Sequence, residues 1–501
     1  MADSRDKIAV VMVHGMGEQK PMETLRGFVE PVWVHDPAIC GEKKGEVFSK
    51  PDDVSGSFEL RRITTRHSEA VKGRCDFYEY YWAHQMTGTK GGAVFGWLRR
   101  LLVRRGETVP KRLRPHWRFG IGAMLVAILW AGATILCLLA VLGILFSGAL
   151  ILDPETAERR LLLWGGGFAL LAAIGVAFRL FLPTLVRFVG DAARYFSPLP
   201  DNIAARHAIR QGGVELIGRL HERGYKRIVV ASHSLGTVVA YDILSHAWAQ
   251  IGSGRMIAAH PKGGEAEARL KALEAAAGAL ETSEPEEMPT LRRAYREAQR
   301  LYCEALASAP SGPEEEKPLW RVTDFVTMGS PLSKADVLLG YLDSEWRELK
   351  SRREAPACPP VRDRKGSPAF SYRPPSGRER IPHHAAVFGP TVWTNIFFEN
   401  EDVYKGDVVA GEVAPRIGRG VIDIAIRRGR PTIRHTHYWS KPDERPAPAW
   451  IRALRAAVNL TGASEAKLWQ GADEGRVIRA EALKERRAAP NPGSEEAHEP
   501  D

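Results

Sequence analysis

The strongest constraint in this chain is a stretch that carries no charge. From Phe119 to Leu152 there is no Asp, Glu, Lys or Arg, and Leu, Ile, Val, Ala and Gly dominate. A second apolar run, Leu161 to Phe178, continues past Arg179 as LFLPTLV. About 20 apolar residues cross a bilayer, so both runs qualify. The alternative is a pair of long core helices in a water-soluble fold. Such helices show one face to water, and the first run has no polar face to show. Ten large apolar side chains left in water would cost on the order of 15–30 kcal/mol. That exceeds the roughly 5–15 kcal/mol by which a whole domain is stable. The expectation is a transmembrane hairpin at about 119–147 and 161–183.

The flanks orient it. Arg99, Arg100, Arg104, Arg105, Lys111, Arg112, Arg114 and Arg118 precede the first run. The connecting loop offsets Arg159 and Arg160 with Asp153, Glu155 and Glu158, and Arg179, Arg187 and Arg194 follow the second run. The positive-inside rule then puts both ends of the hairpin, and the N- and C-terminal parts with them, in the cytoplasm. A basic collar beside an apolar run, without interleaved stacking aromatics, suits anionic lipid head groups and not nucleic acid. Two helices with no buried charge apart from Arg179 at an edge offer no transport pathway.

The remaining composition is globular, 44% apolar and 26% charged over 501 residues, with a net charge of +10. Cys40, Cys75, Cys137, Cys303 and Cys358 are odd in number and widely spaced, which is neither a disulfide framework nor zinc spacing and fits a reducing compartment. The N-terminus leads from charges straight into a strand, without a signal-peptide pattern.

Around the hairpin, strand-like and helix-like segments alternate. Strands are expected at Lys7–Gly15, Phe58–Arg66, Cys75–Ala83, Arg227–Ser232, Arg321–Met328 and Thr391–Phe398. Helices are expected from Asp201, as N-cap, to Gly224, from about Thr237, and over PAWIRALRAAVNL near Leu460. This alternation predicts an α/β fold, a mostly parallel sheet with helices on both faces, interrupted by the hairpin. The parts are 1–98, then 99–200 with the collar and hairpin, then 201–460, then a 461–501 extension with a disordered end. Insertions are expected near 260–310, as exposed helices interrupted near Pro285, and near 351–380, as a basic, proline-rich surface loop.

Chemistry concentrates where the strand at Arg227 ends, in Ala231-Ser232-His233-Ser234-Leu235-Gly236. A serine on a strand-to-helix turn needs small residues two before and two after it, the G-x-S-x-G pattern. Ser232 replaces the first glycine and stays small. The alternative for Ser234 is a helix cap. An oxyanion hole takes one N–H from the residue after the nucleophile, Leu235, and another from a loop after an earlier strand. VMVHGMGEQ supplies that loop, with Met16 as the second donor; it lacks the spacing of a phosphate-binding loop. A general base is sought downstream in RHTHYWSKP, which offers His435 and His437. That pair is also a candidate for metal, but no H-E-x-x-H and no third ligand accompany it. His383 and His384 fall before the last expected strand, in the wrong order. For the acid, FFENEDVYKGDVV offers Glu399, Glu401, Asp402 and Asp407, with Asp336 an alternative after MGSPLSKA.

VHGMGEQ (Val13–Gln19), SHSLG (Ser232–Gly236), TMGSPL (Thr327–Leu332), WTN…NEDVYKGDVV (Trp393–Val409) and HTHYW (His435–Trp439) together resemble the α/β-hydrolase superfamily, on its lipase and serine-esterase side. In similar bacterial hydrolases an Asp follows the tryptophan-asparagine strand before a D-P-x-x-G-like turn. Asp402, followed by Val403-Tyr404-Lys405-Gly406, fits that best with the proline missing, and Asp407 comes second. In comparable H-S-x-Y-W endings the first histidine is the base, here His435. The resemblance implies a triad of Ser234, Asp402 and His435, acyl transfer from an ester, and no metal or organic cofactor. A cytoplasmic catalytic face tethered at a membrane implies lipid esters as substrates, as in a phospholipase, lysophospholipase or lipid esterase. The competing class is a hydrolase-like domain that has lost activity and serves as a membrane scaffold.

Overall fold

The computed structural model describes residues 7–16, 20–57, 59–86, 199–259, 264–308, 319–338, 343–364, 366–374, 380–399, 406–427 and 435–468, with a few positions between 87 and 198. Both apolar runs, apart from Ile121, lie outside the described residues, as do 469–501. Among the described residues no helix is long and apolar enough to cross a membrane. The chain divides into two compact units. One is formed by 1–85, 204–336 and 343–501, the other by 86–203 and 337–342.

The first unit is built on an eight-stranded sheet. Its strands are β1 (Lys7–Val13), β2 (Val47–Pro51), β3 (Arg61–Thr65), β4 (Arg74–Tyr80), β5 (Arg227–His233), β6 (Val322–Met328), β9 (Val392–Phe398) and β10 (Ile422–Ile426), in the order β10-β9-β6-β5-β1-β4-β3-β2. A two-residue pair, β7 (Ser371–Tyr372) with β8 (Ile381–Pro382), stands apart from it. From β10 through β4 every neighbour is parallel, and β3 and β2 close one edge antiparallel. The α/β class with a mostly parallel sheet is therefore present. β1 and β5 are central and buried almost throughout, which is why each carries a continuous apolar stretch, Ile8–Val13 in β1 and Ile228–Ala231 in β5. β2 is the exposed edge, and Lys50 and Pro51 in it discourage further strand pairing.

Alternating residues split the core into two layers. Val10, Met12, Ala231, Val326, Met328, Ile396 and Ile424 face a layer containing α1 (Glu23–Val29) and α6 (Ala449–Val458), through Leu25, Phe28, Ile451 and Leu454. On the other face Tyr241 of α3 (Gly236–Ala247) packs against Phe388 and Trp393, whose rings also meet Phe325. α2 (Pro200–Glu222) lies against α3: a Cβ on Gly213 would sit 2.2 Å from Ile243. Asp201 is thus inside the first turn of α2 instead of capping it.

Two regions differ from their sequence reading. The stretch expected as exposed helices does break near Pro285, between α4 (Gly264–Thr282) and α5 (Met288–Ser308). Yet both helices are packed, burying Leu270, Leu273, Leu280, Tyr295 and Tyr302. Arg296 is buried with them because Glu465 neutralises it at 2.8 Å and Trp393 O and Thr394 Oγ1 accept its remaining N–H groups. A charged residue there does not mark solvent. The expected surface loop at 351–380 likewise buries Cys358 and Phe370, with Glu274 of α4 accepting from the Phe370 and Ser371 N–H groups at 2.9 Å each.

Candidate active site

β5 ends at His233 and α3 begins at Gly236, so Ser234 occupies the tightest point of the turn. Its φ is +54, a left-handed conformation that costs a non-glycine residue roughly 1–2 kcal/mol. The turn is fixed from several sides. The Ser234 N–H donates to Met328 O at the end of β6, and its carbonyl accepts from Thr237 Oγ1 at 2.7 Å. Thr237 in turn accepts from Ser330 Oγ at 2.7 Å. Gly236 allows α3 to press onto β1: a Cβ there would lie 2.1 Å from His14 O. Ser232 fits where a first glycine is usual because its side chain is buried in the strand and donates to Val326 O.

The turn points one hydroxyl at one imidazole. Ser234 Oγ lies 2.7 Å from His435 Nε2. His435 Nδ1 lies 3.0 and 2.9 Å from the two oxygens of Asp407. With Nδ1–H donating to the carboxylate, Nε2 is left with its lone pair toward the serine hydroxyl, the tautomer a general base needs. Asp407 is fully buried, and its oxygens also accept from Tyr438 Oη at 2.7 Å and from the Val409 and Ala410 N–H groups at 3.0 and 3.2 Å. Burial alone would raise this carboxyl. The His435 hydrogen bond and charge, helped by the Tyr438 hydroxyl, outweigh it and hold the group below the usual carboxylate range. Gly329, just past β6, leaves room for this cluster, since a Cβ on it would meet Tyr438, Asp407 and His435 within 3.3 Å.

The base is held by its backbone as well. His233, the residue before the nucleophile, donates from Nε2 to the His435 carbonyl at 2.6 Å, and the two rings lie 4.9 Å apart. Burial, then the neighbouring His435, push the His233 imidazole down to about 3, so it stays neutral.

The loop after β1 abuts the elbow. A Cβ on Gly15 would come within 3.0 Å of Ser234 Cβ, and Met16 follows directly. His14 anchors this loop. Trp82 donates its backbone N–H to His14 Nε2 and its indole N–H to the His14 carbonyl, and the two rings stack 5.2 Å apart. Burial pushes His14 down to about 4, and it serves as a neutral strut. Leu235 N–H, at the N-terminus of the 12-residue α3, makes no hydrogen bond among the described residues. It is a ready donor in a positive helix-terminal field.

Of the candidates read from sequence, the structure brings together Ser234, His435 and Asp407, beside Leu235 and the loop carrying Met16. Asp402 lies outside the described residues, and the place against the imidazole is held by Asp407. Asp336 is buried against Arg416 at 3.2 Å, and Glu399 pairs with Arg427. It is His435, not His437, that faces the serine. His383 is structural, its ring bonded to Val361 O and the Ala385 N–H. His233 and Tyr438 join the site only in three dimensions, His233 through the His435 carbonyl and Tyr438 through Asp407. Their signal was adjacency, one residue before the serine and three after the base. Among the described residues no group of three His, Cys, Asp or Glu is placed to hold a metal ion, and Cys40, Cys75, Cys303 and Cys358 are free thiols. In comparisons with known proteins, the chain matches no family model, no curated protein and no solved structure.

Proposed function

We propose that the chain is a serine hydrolase of α/β-hydrolase type that cleaves carboxylic esters by acyl transfer. One observation carries this reading: the serine on a left-handed strand-to-helix turn lies 2.7 Å from an imidazole whose other nitrogen meets a buried carboxylate. The order along the chain, serine then acid then histidine, is that of the superfamily.

In this mechanism Ser234 Oγ attacks the ester carbonyl while His435 Nε2 takes its proton. The carbonyl π electrons move to oxygen, and the resulting oxyanion is held by the Leu235 and Met16 N–H groups. One such donor is worth about 2.7–4 kcal/mol in the transition state. Asp407 stabilises the imidazolium without taking its proton. Collapse expels the alcohol, protonated by His435, and water drawn through the same base releases the acid. These steps use only side chains and backbone of this chain.

The substrate proposal comes from the sequence. Two apolar runs inserted between β4 and β5, beside a collar of arginines, support a two-helix membrane hairpin with both soluble parts in the cytoplasm. A hydrolase held there meets lipid esters first. The test is hydrolysis of p-nitrophenyl acyl esters of increasing chain length and of phospholipid vesicles by full-length protein in detergent. Wild type should turn over, and Ser234→Ala should lose at least about a thousandfold in kcat. Equal rates in the two proteins would sink the proposal. No hydrolysis by folded wild type would favour the scaffold.

A further inference from the structure

The parallel strands have two ends, and the serine uses only one. At the other end, where β5 starts at Arg227 and β6 follows Arg321, lies a cavity of about 310 Å³. Seven residues of β5 separate it from the elbow, roughly 20 Å at about 3.3 Å per residue. It is therefore not part of the ester site.

Its walls are unusually basic. Lys72, Lys226, Arg227, Arg300 and Arg321 all line it, with Glu304 the only carboxylate among the described lining residues. Two of these cations are already neutralised: Arg227 pairs with Asp324 at 2.8 Å, and Arg300 with Asp324 and Glu465 at 3.0 and 2.6 Å. The other three make no ion pair among the described residues. Arg321 gives one N–H to the Tyr225 carbonyl, while its Nε is buried without a partner. A guanidinium without a countercharge is costly in a partly desolvated wall, and an anionic guest that meets its remaining Nη N–H groups would supply that countercharge. Lys72 sits at φ +52 in the turn before β4, a conformation uncommon for a lysine. Among the described lining residues, three cations without an ion pair face one exposed carboxylate, an excess of two positive charges.

We propose that this cavity binds a small phosphate-bearing dianion, a phosphomonoester or inorganic phosphate. Arg321 meets it with the Nη N–H groups that Tyr225 leaves free, and the exposed Lys226 and Lys72 close over it from the rim. The site is physically separate from the serine, so its ligand is a regulator or a tether and not the ester.

The experiment is isothermal titration of full-length protein with inorganic phosphate and with phenyl phosphate at fixed ionic strength. Variants are Arg321→Gln, the exposed Lys226→Gln, the distant control Arg66→Gln, and Ser234→Ala. Saturable binding is expected in wild type, Arg66→Gln and Ser234→Ala. Its Kd should rise about tenfold or more in Arg321→Gln and Lys226→Gln, and acetate should not compete. Absence of saturable binding, an unchanged Kd in Lys226→Gln, or equal competition by acetate would overturn the proposal. So would loss of binding in Ser234→Ala, which would move the phosphate to the ester site. Because Lys226 is exposed, its variant tests the idea even where Arg321→Gln does not fold.

Discussion

Tyr438 donates its hydroxyl to Asp407 at 2.7 Å, and the same carboxylate meets His435, three residues earlier in the chain, at 2.9 Å. One short segment therefore supplies both the imidazole and a second donor that fixes the acid. This is why a carboxylate with no exposure can stay ionised beside the base.

The acid is the first point to test, because the loop holds several carboxylates and the geometry selects one. Asp407→Asn should lower kcat by about 10⁴-fold, since an amide nitrogen facing Nδ1 favours the wrong tautomer. Asp402→Asn should stay within a few-fold of wild type. Steady-state ester hydrolysis by the two variants decides between them, and the reverse ranking would show that Asp407 is not the acid.

His233 is a positioning residue, since it reaches the base only through the His435 carbonyl. His233→Ala should drop kcat by roughly 10–100-fold with little change in KM, because a small displacement of the imidazole misaligns proton transfer. His233→Gln, which keeps an N–H donor, should recover part of that loss. Equal losses in both variants would point to packing and not to the hydrogen bond.

How far the sequence foretold this site depends on how local each signal was. Ser234, Leu235 and Gly236 were legible because a nucleophile turn needs small neighbours within five residues. His435 followed from its place after the last strands. Asp407 was harder. It competes with Glu399, Glu401 and Asp402 in one acidic loop, and what distinguishes it is an Asx-type turn onto Val409 and Ala410, visible only in three dimensions. Among the strands of the sheet, β2 and β10 leave little trace in the sequence: β2 is exposed along its whole length, and IDIAI is short and follows a glycine-rich turn, although it pairs with β9 over its whole length. The burial of α5 is not legible in its sequence because Arg296 finds Glu465, 169 residues away. Long-range charge pairs leave no periodic trace.

A different prediction concerns pH and stability. Glu79 on β4 is fully buried; one of its oxygens accepts from the Met22 N–H at the start of α1, and the other has no partner among the described residues. Burial pushes its carboxyl up to about 7 from 4.5, against the opposing pull of the Met22 and Leu25 N–H groups. The folded state thus holds a proton that the unfolded state has released, so stability is fully present below about pH 4.5 and is lost as pH rises toward 7. The loss amounts to no more than about 3 kcal/mol. Glu79→Gln, which keeps an acceptor for Met22, should remove that slope and be more stable than wild type at pH 8. Urea unfolding at pH 5 and pH 8 measures it; parallel slopes in the two proteins would contradict the assignment.

Every step proposed for this site depends on Ser234 being an activated nucleophile. The direct measurement is labelling of detergent-solubilised full-length protein with a fluorophosphonate probe, followed by mass spectrometry of the labelled peptide, wild type beside Ser234→Ala. The adduct should form on Ser234 alone, vanish in the variant, and slow sharply in Asp407→Asn. A folded wild-type protein that takes up no probe, or takes it up at another residue, would contradict the account.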